Sequence, residues 1–393
     1  MMGVEREDPA RSPFSRGEGK KEVIWIMNKT GFGYLRLPQL DTQAGKVVDL
    51  PAVNVLTDEF LRLGGSYFDT AYTYLEGRSE DALRRCLVER HPRERFRVAT
   101  KLPGYKMKTI EQCRAAFEEQ LTRCGVDYFD VYLLHWLNEK NYAIAEEMDQ
   151  FGFLQQLKAE GKVGETGFSY HDSPELLDEI LKRHREVDYV QLQLNYLDWE
   201  SPALQARALY EVARRHGKRI IVMEPVKGGQ LAKLPPEAEA LLRGYDAEAS
   251  MASWAVRFVM SLAGVEIVLS GMNELSQVRD NMADLSPMTQ QEQALVLQAA
   301  EIIRSRTAIP CTGCSYCTAG CPMAIPIPQY FALYNEYART PEQGWKMGHA
   351  YRALAAKGGA AAQCIACRSC EGSCPQKLPI TEHLQAVAKA FEN

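Results

Sequence analysis

The chain has 393 residues, 46% of them hydrophobic, a formal net charge of −5 and a pI near 5.9. That length can bury one large core of roughly 250 residues and a smaller module. A mildly acidic balance gives no electrostatic ground for a nucleic-acid or anionic-membrane partner, and neither is expected.

Residues 1–26, MMGVEREDPARSPFSRGEGKKEVIWI, are charged, punctuated by Gly, Pro and Ser, and lack periodicity. They hold no signal-like apolar core, so nothing routes the thiols to an oxidising compartment and a cytoplasmic location is expected. A start in keeping with the rest of the chain, MNKTGFGYLRLP, lies at Met27. The leader is expected to be disordered, or to be translated upstream sequence, since GEGKKE needs the purine-rich codons of a bacterial ribosome-binding site.

From Thr30 onward short apolar runs alternate with longer amphipathic ones, the pattern of strands alternating with helices. Strands are predicted around GFGYL (31–35), YFDTA (67–71), FRVATK (96–101), YFDVYLLH (128–135), VGETGFS (163–169), YVQLQLN (189–195), RIIVMEP (219–225) and EIVLSG (266–271). Between them SEDALRRCLVER, IEQCRAAFEEQLTRCG, SPELLDEILKRH and SPALQARALYEVARRHG read as helices. Several open with Ser or Thr and close near Gly or a cation, as caps and dipoles prefer. Eight strand–helix units over about 260 residues have the size of a closed (β/α)8 TIM barrel. The competing doubly wound open sheet is disfavoured because no strand is followed by GxGxxG. The longest apolar stretch, Ser253 to Ser270, is interrupted by Arg257 and Glu266, so no segment is expected to span a membrane.

After the last strand, QQEQALVLQAAEIIRSR (290–306) reads as a helix leading out of the barrel, with Pro310 as its stop. Beyond it, eight of the eleven Cys fall between 311 and 374 and mark a domain boundary. The expected organisation is a barrel over 27–286, a connecting helix over 287–310, and a small, mainly helical two-cluster ferredoxin-like domain over 311–393. The tail contains a repeat. Cys311 to Ile327 ends in CPMAIPI and Cys364 to Ile380 in CPQKLPI, 53 residues apart with every Cys in register. An amphipathic helix, QYFALYNEYA or TEHLQAVAKAFE, follows each copy.

Each copy reads C-x2-C-x2-C-x3-C-P, the run of bacterial two-cluster ferredoxins, in which the fourth Cys serves the other cluster. One 4Fe-4S cluster is therefore expected on Cys311, Cys314, Cys317 and Cys374, and a second on Cys364, Cys367, Cys370 and Cys321. Zinc is the rival, but zinc sites usually come as two separated CxxC pairs. The helical insert PEQGWKMGHAYRALAAKGG resembles the two-cluster domain in iron-sulfur subunits of succinate dehydrogenase and fumarate reductase. Cys86, Cys113 and Cys124 read as ordinary buried or half-buried thiols on helical faces.

In a parallel barrel, functional groups gather where the strands end at their C-terminal side. Asp69, Lys101 and His135 end three neighbouring predicted strands, and Tyr74 lies on the loop after Asp69. Singly, each reads as a loop residue or a structural ion pair; together they suit reduction of a carbonyl. Hydride addition makes an alkoxide that needs a proton, and a tyrosine with a pKa of about 10 is a slow donor until a neighbouring ammonium lowers it. Lys101 would tune Tyr74, Asp69 would hold Lys101, and His135 would orient the substrate oxygen.

The segments FDTAYTYLEGRSE, VATKLP and VYLLHW resemble the aldo-keto reductase family over about residues 28–286, and Asp69, Tyr74, Lys101 and His135 match its tetrad. The resemblance implies NADH or NADPH bound extended across the barrel mouth. Ser169 and Gln191 would hold the carboxamide, with Tyr170 standing where an Asn commonly follows. Gly228 and Gly229 in EPVKGG would cover the pyrophosphate, and Gln277 and Asn281 would meet the adenosine end. The basic residue usual two places after the Gly of SGMNELSQVRDN is Asn273, so a 2′-phosphate would rely on Arg279 or Lys227. The expected activity is reduction of a small aldehyde or ketone to an alcohol, or the reverse. No flavin signature joins two-electron hydride chemistry to one-electron clusters. The clusters would serve structure, sensing, or an electron-transfer partner, a ferredoxin or flavoprotein. The alternative is an iron-sulfur electron-transfer or redox-sensing protein whose barrel binds nicotinamide or a partner without reducing carbonyls.

Overall fold

The computed structural model describes residues 29–42, 45–283, 286–339 and 344–392; the expectation for residues 1–26 lies outside them. Strands covered on both faces read as short, nearly continuous apolar runs, and eight such runs close into a parallel barrel. They are β1 (Thr30–Gly33), β2 (Tyr67–Asp69), β3 (Arg97–Leu102), β4 (Phe129–Leu137), β5 (Val163–Tyr170), β6 (Tyr189–Gln193), β7 (Arg219–Met223) and β8 (Val265–Ser270). Neighbours in sequence are neighbours in the sheet, and β8 closes against β1.

Register decides what fills the barrel. Tyr67, Ala99, Leu133, Tyr189, Ile221 and Leu269 belong to one buried apolar cluster. Gly167 lies between Leu133 of β4 and Tyr189 of β6 in the register of neighbouring strands. A Cβ there would lie 2.1 Å from the Tyr189 carbonyl oxygen, so only glycine fits. Side chains recur on one face every second residue. The next position on that face is therefore Lys101 after Ala99, His135 after Leu133, Ser169 after Gly167 and Gln191 after Tyr189: a polar layer above the apolar one. At the strands' N-terminal ends, Arg97 and Arg219 reach Glu165 at 2.6 and 2.5 Å, and the Tyr189 hydroxyl donates to Glu266 at 2.5 Å. This charged closure belongs to the stability face of the barrel.

Helices form where capping and amphipathic spacing agree. Ile110–Cys124 opens on Thr109, whose side chain accepts from the Gln112 amide, and ends on left-handed Gly125. Several sequence boundaries move. SPALQARALYEVARRHG is helical only over Ala206–Arg215, because the Ser201 hydroxyl accepts from the Leu204 amide in a turn and Gln205 is left-handed, φ 51°. SEDALRRCLVER is α-helical over Arg78–Leu83 and then widens into a π-type turn, Arg84–Val88. An exposed antiparallel hairpin, Gln39–Thr42 with Gly45–Val48, leaves its facing Leu40 and Val47 exposed, so no buried face announces it. Two helices, Glu139–Glu147 and Gln150–Ala159, fill the connection after β4, the second capped by left-handed Asp149.

The chain divides into two compact units. The first comprises the described parts of Met1–Gln193, Leu209–Met223 and Leu262–Leu285, and holds every barrel strand. The second comprises Leu194–Ala208, Glu224–Ser261 and the described parts of Ser286–Asn393, so it combines the tail with the segments after β6 and β7. Within it the helix Gln290–Arg306 opens on a capping box, Thr289 with Glu292, and Arg257 donates to Glu292 at 2.8 Å. Helices Ile327–Arg339, Gly344–Ala355 and Ile380–Phe391 surround a core that includes Ile325, Tyr330, Phe331, Tyr351, Leu384 and Val387.

The repeat in the tail is also a backbone repeat. Left-handed residues occur at Gly313 and Ala366, at Ser315 and Arg368, and at Ala324 and Lys377, each pair 53 residues apart. All of these except Gly313 carry a side chain, and they hold a conformation costing roughly 1–2 kcal/mol each. Two cysteine loops built the same strained way are a duplicated unit rather than a coincidence of spacing.

Candidate active site and cysteine clusters

Asp69 ends β2 beside Ala99 of β3, and Lys101 is the next residue on Ala99's face. The Lys101 ammonium donates to Asp69 Oδ1 at 2.5 Å and to the Thr70 carbonyl at 2.8 Å. Lys101 is fully buried and Asp69 is 2% exposed, so water screens neither. Burial raises the Asp69 pKa against the opposing pull of Lys101, and burial lowers the Lys101 pKa against the opposing pull of Asp69. Each partner keeps the other's charge from being lost to desolvation.

Tyr74 completes the group. The Lys101 ammonium lies 4.9 Å from the centroid of its ring, and the His135 ring lies 5.8 Å from it, edge-on. Tyr74 is followed by left-handed Leu75, Glu76 and Gly77, a strained turn placed where strain commonly serves function. Arg78 Nε donates to the Leu75 carbonyl at 2.8 Å and holds that turn. His135 sits where β4 loses register with β5, between Leu134 and Leu137, and the next residue, Trp136, has φ 62°. Such a bulge re-aims a side chain at a strand end. Burial first, then Lys101, pushes the His135 pKa well below its ordinary value, so the ring is neutral; its Nδ1 is buried without a hydrogen-bond partner.

Behind the pair lies a buried network that the sequence did not announce. Glu80 accepts from Thr100 Oγ1 at 2.8 Å and from Gln120 Nε2 at 2.6 Å, and Gln120 Oε1 accepts from the Tyr132 hydroxyl at 2.7 Å. Gln120 Nε2 also approaches the Lys101 carbonyl at 3.3 Å. In SEDALRR an acid in a first helical turn reads as dipole compensation. Its burial follows from the helix face, which one sequence does not orient.

Ser169 and Gln191 are register partners on β5 and β6, both 1% exposed. Ser169 Oγ accepts from the Trp136 amide at 2.7 Å, which leaves its own O–H to donate. Gln191 Oε1 is buried without a hydrogen-bond partner, while its Nε2 contacts the Met223 sulfur at 3.7 Å. A hydroxyl donor beside an orphaned carbonyl acceptor matches what a carboxamide needs, one group for its C=O and one for its NH2. Tyr170 does not join them: its ring is buried and its hydroxyl donates to the Ser173 carbonyl at 2.6 Å.

Gln277 Oε1 accepts from the Asn273 amide at 2.9 Å, and Asn281 Nδ2 donates to Ser270 Oγ at 2.7 Å with Asn281 Oδ1 buried and unmatched. Arg279 donates to Glu59 at 2.7 Å, and Glu59 also binds Arg62. In the second unit Gly228 and Gly229 are both left-handed, φ 64° and 95°, and a Cβ on Gly229 would meet open space. Lys227, beside them, is buried and donates to Asp198 at 2.5 Å and to Gln376 at 2.8 Å. Both cations that could have met a 2′-phosphate are thus engaged by carboxylates.

The eight tail cysteines divide between two cavities. Cys311, Cys314, Cys317 and Cys374 line one, with Ile327, Phe331 and Gln376 among its walls. Cys321, Cys364, Cys367 and Cys370 line the other, with Met323 and Leu384 among its walls. Each cavity therefore takes three thiols from one copy of the repeat and one from the other. Among the described residues, no three His, Cys, Asp or Glu side chains converge as for a single metal ion. The loop amide of Gly313 points at Cys311 Sγ, at 3.5 Å. Hydrogen bonds from Ser369, led by its backbone N–H, hold the exposed Cys367 thiol below its usual pKa. The three cysteines outside the tail, Cys86, Cys113 and Cys124, are buried, and burial pushes the first two up to about 11.

A closed parallel barrel with an acid, an ammonium, a phenol and an imidazole gathered at its strand ends, followed by a cysteine-rich tail, has the build of an oxidoreductase with a ferredoxin-type appendage. The sequence model of the Aldo/keto reductase family matches residues 31–301, and that of a 4Fe-4S dicluster domain matches residues 310–378. The chain belongs to the aldo/keto reductase family and carries a 4Fe-4S dicluster domain toward its C-terminus. It is 29% identical over 203 residues to a 9,11-endoperoxide prostaglandin H2 reductase of Trypanosoma cruzi, covering 50% of this chain and 65% of that protein. It is 24% identical over 270 residues to an NADH-specific methylglyoxal reductase of Escherichia coli, covering 57% and 80%. A holo aldo-keto reductase from Bacillus halodurans shares the fold with a TM-score of 0.53 at 24% identity, over 69% of this chain and 91% of that one. An aldo/keto reductase from Klebsiella pneumoniae in complex with NADP and acetate does so with a TM-score of 0.55 at 19% identity, over 70% and 92%. Among the described residues no helix is long and apolar enough to cross a membrane.

Proposed function

We propose that the chain reduces a small aldehyde or ketone to its alcohol with NADH, using Tyr74 as proton donor, and that its tail holds two 4Fe-4S clusters. The reading rests above all on the buried 2.5 Å bond from Lys101 to Asp69 with Tyr74 and His135 alongside. Bound reduced nicotinamide supplies the hydride. Tyr74 gives its phenolic proton to the substrate oxygen as negative charge develops there, and the Lys101 ammonium favours the phenolate left behind. Asp69 keeps that ammonium charged and fixed. His135, neutral, hydrogen-bonds the substrate oxygen and sets its angle without adding a second cation. In the reverse direction the same tyrosine accepts the alcohol proton.

Ser169 and Gln191 are assigned to the carboxamide, Gly228 and Gly229 to the pyrophosphate, and Gln277 and Asn281 to the adenosine end. The assignment of NADH follows from Arg279 and Lys227, whose carboxylate partners make a poor seat for a 2′-phosphate. The name of the Escherichia coli relative points the same way, while the Klebsiella pneumoniae neighbour is a complex with NADP, so the choice rests on Arg279 and Lys227. The crosswise cysteine sets support one cluster on Cys311, Cys314, Cys317 and Cys374 and another on Cys364, Cys367, Cys370 and Cys321. Four thiols about each cavity, three from one copy of the repeat and one from the other, fit the ligand pattern of a two-cluster ferredoxin. The clusters would supply one-electron capacity, which a ferredoxin or flavoprotein partner would share, and they would keep best in a reducing cytoplasm.

The test is anaerobic purification, assay of iron and acid-labile sulfide, and measurement of methylglyoxal and other short aldehydes with each nucleotide. Turnover with NADH at least about tenfold more efficient than with NADPH is expected. Loaded protein that oxidises neither nucleotide with any aldehyde or ketone would overturn the reading.

A further inference from the structure

Lys227 is a buried ammonium, 1% exposed, in the segment after β7, and it lies within the same compact unit as the tail. It donates to Asp198 Oδ1 at 2.5 Å on one side and to Gln376 Oε1 at 2.8 Å on the other. Asp198 is itself fixed, accepting at Oδ2 from Asn195 at 2.8 Å, and its amide donates to Asn195 Oδ1 at 2.8 Å. Gln376 is two residues beyond Cys374 and lines the cavity ringed by Cys311, Cys314, Cys317 and Cys374. Three residues after Lys227, Gln230 donates to the Cys311 carbonyl. The segment is thus tied to that cysteine set at two points, from one copy of the repeat and from the other.

Among the described residues Lys227 has no counterpart at the second cavity, whose charged lining residue, Arg368, has a side chain 71% exposed.

We propose that Lys227, held by Asp198 and Gln376, is a potential-setting residue for the cluster on Cys311, Cys314, Cys317 and Cys374. A fixed cation beside a cluster favours the form carrying one more electron, and burial keeps solvent from screening the effect. The nearby Asp198 carboxylate acts the other way and sets how much of the effect survives. The two clusters then differ in potential, with the Lys227 side the better acceptor, so that an electron given up by a reduced ferredoxin or flavoprotein at the exposed Cys367 passes from the second cluster to the first. This rests on the cluster reading above.

The experiment is an anaerobic redox titration of the full-length loaded protein, followed by electron paramagnetic resonance, on the wild type and three variants. Lys227→Gln is expected to disfavour reduction of the first cluster by about tenfold, a shift of about 60 mV at 59 mV per decade for one electron. Asp198→Asn should shift the same cluster in the opposite direction, and Lys227→Arg should retain the wild-type value. The second cluster should hold its potential throughout. A purely structural tie would move Lys227→Gln and Asp198→Asn in the same direction, with parallel loss of iron, and that result overturns the assignment. So do unmoved potentials in fully loaded variants. A wild-type protein without cluster absorbance overturns both this assignment and the cluster reading.

Discussion

Replacing Lys101 by Met would leave Asp69 buried, 2% exposed, with neither oxygen supplied by a donor: Oδ1 loses its 2.5 Å bond and Oδ2 has none. Removing one partner of a buried ion pair typically costs about 3–5 kcal/mol, and the Lys101→Met protein should lose that much at pH 7. The cost falls on acidification, because burial already raises the Asp69 pKa and nothing then opposes it. A carboxyl whose folded pKa lies above its unfolded one binds its proton first in the folded state. Stability is then greatest at low pH and is lost as pH rises toward the raised pKa, by about 1.4 kcal/mol per unit. Urea unfolding of wild type and variant between pH 7 and pH 5 should therefore show the gap closing. Adding Asp69→Asn should recover about 2 kcal/mol relative to the sum of the single losses. A gap that widens in acid, or strictly additive losses, would refute the coupling.

Gln191→Leu should raise the Kd for NADH by about tenfold while leaving apo stability unchanged or higher, because Gln191 Oε1 already lacks a partner; nucleotide fluorescence titration with a thermal melt checks both. Glu59→Gln should release Arg279 and improve NADPH use by severalfold without altering NADH use, measured as the ratio of kcat/KM values. Cys374→Ser should disturb the cluster of the first motif, and Cys321→Ser that of the second, each read by electron paramagnetic resonance and iron content. A Cys374 variant that loses only the cluster of its own motif would contradict the crossing.

Much of the architecture was legible because strand burial leaves a trace in composition. All eight barrel strands lie where short apolar runs predicted them, with ends shifted by a residue or two. The approach of Asp69, Lys101, Tyr74 and His135 was legible because a barrel brings strand ends together whatever the intervening helices do. The hairpin at 39–48 was not, since its exposed residues obey no burial pattern. Nor was Glu80, whose role depends on which helix face turns inward. Arg279 and Lys227 were legible as cations but not as engaged ones, because their carboxylates lie 220 and 29 residues away in sequence. The bulge that aims His135 leaves no mark in VYLLHW, whose apolar run continues unbroken up to His135.

The central claim is that Tyr74 supplies the proton in carbonyl reduction while the tail carries its clusters independently. The direct measurement is single-turnover reduction of an aldehyde by NADH with wild type and Tyr74→Phe, alongside nucleotide affinity and the visible cluster spectrum. The account predicts a rate lower by about 10²–10⁴-fold, with affinity and spectrum unchanged. A Tyr74→Phe protein that reduces the aldehyde at the wild-type rate would contradict it.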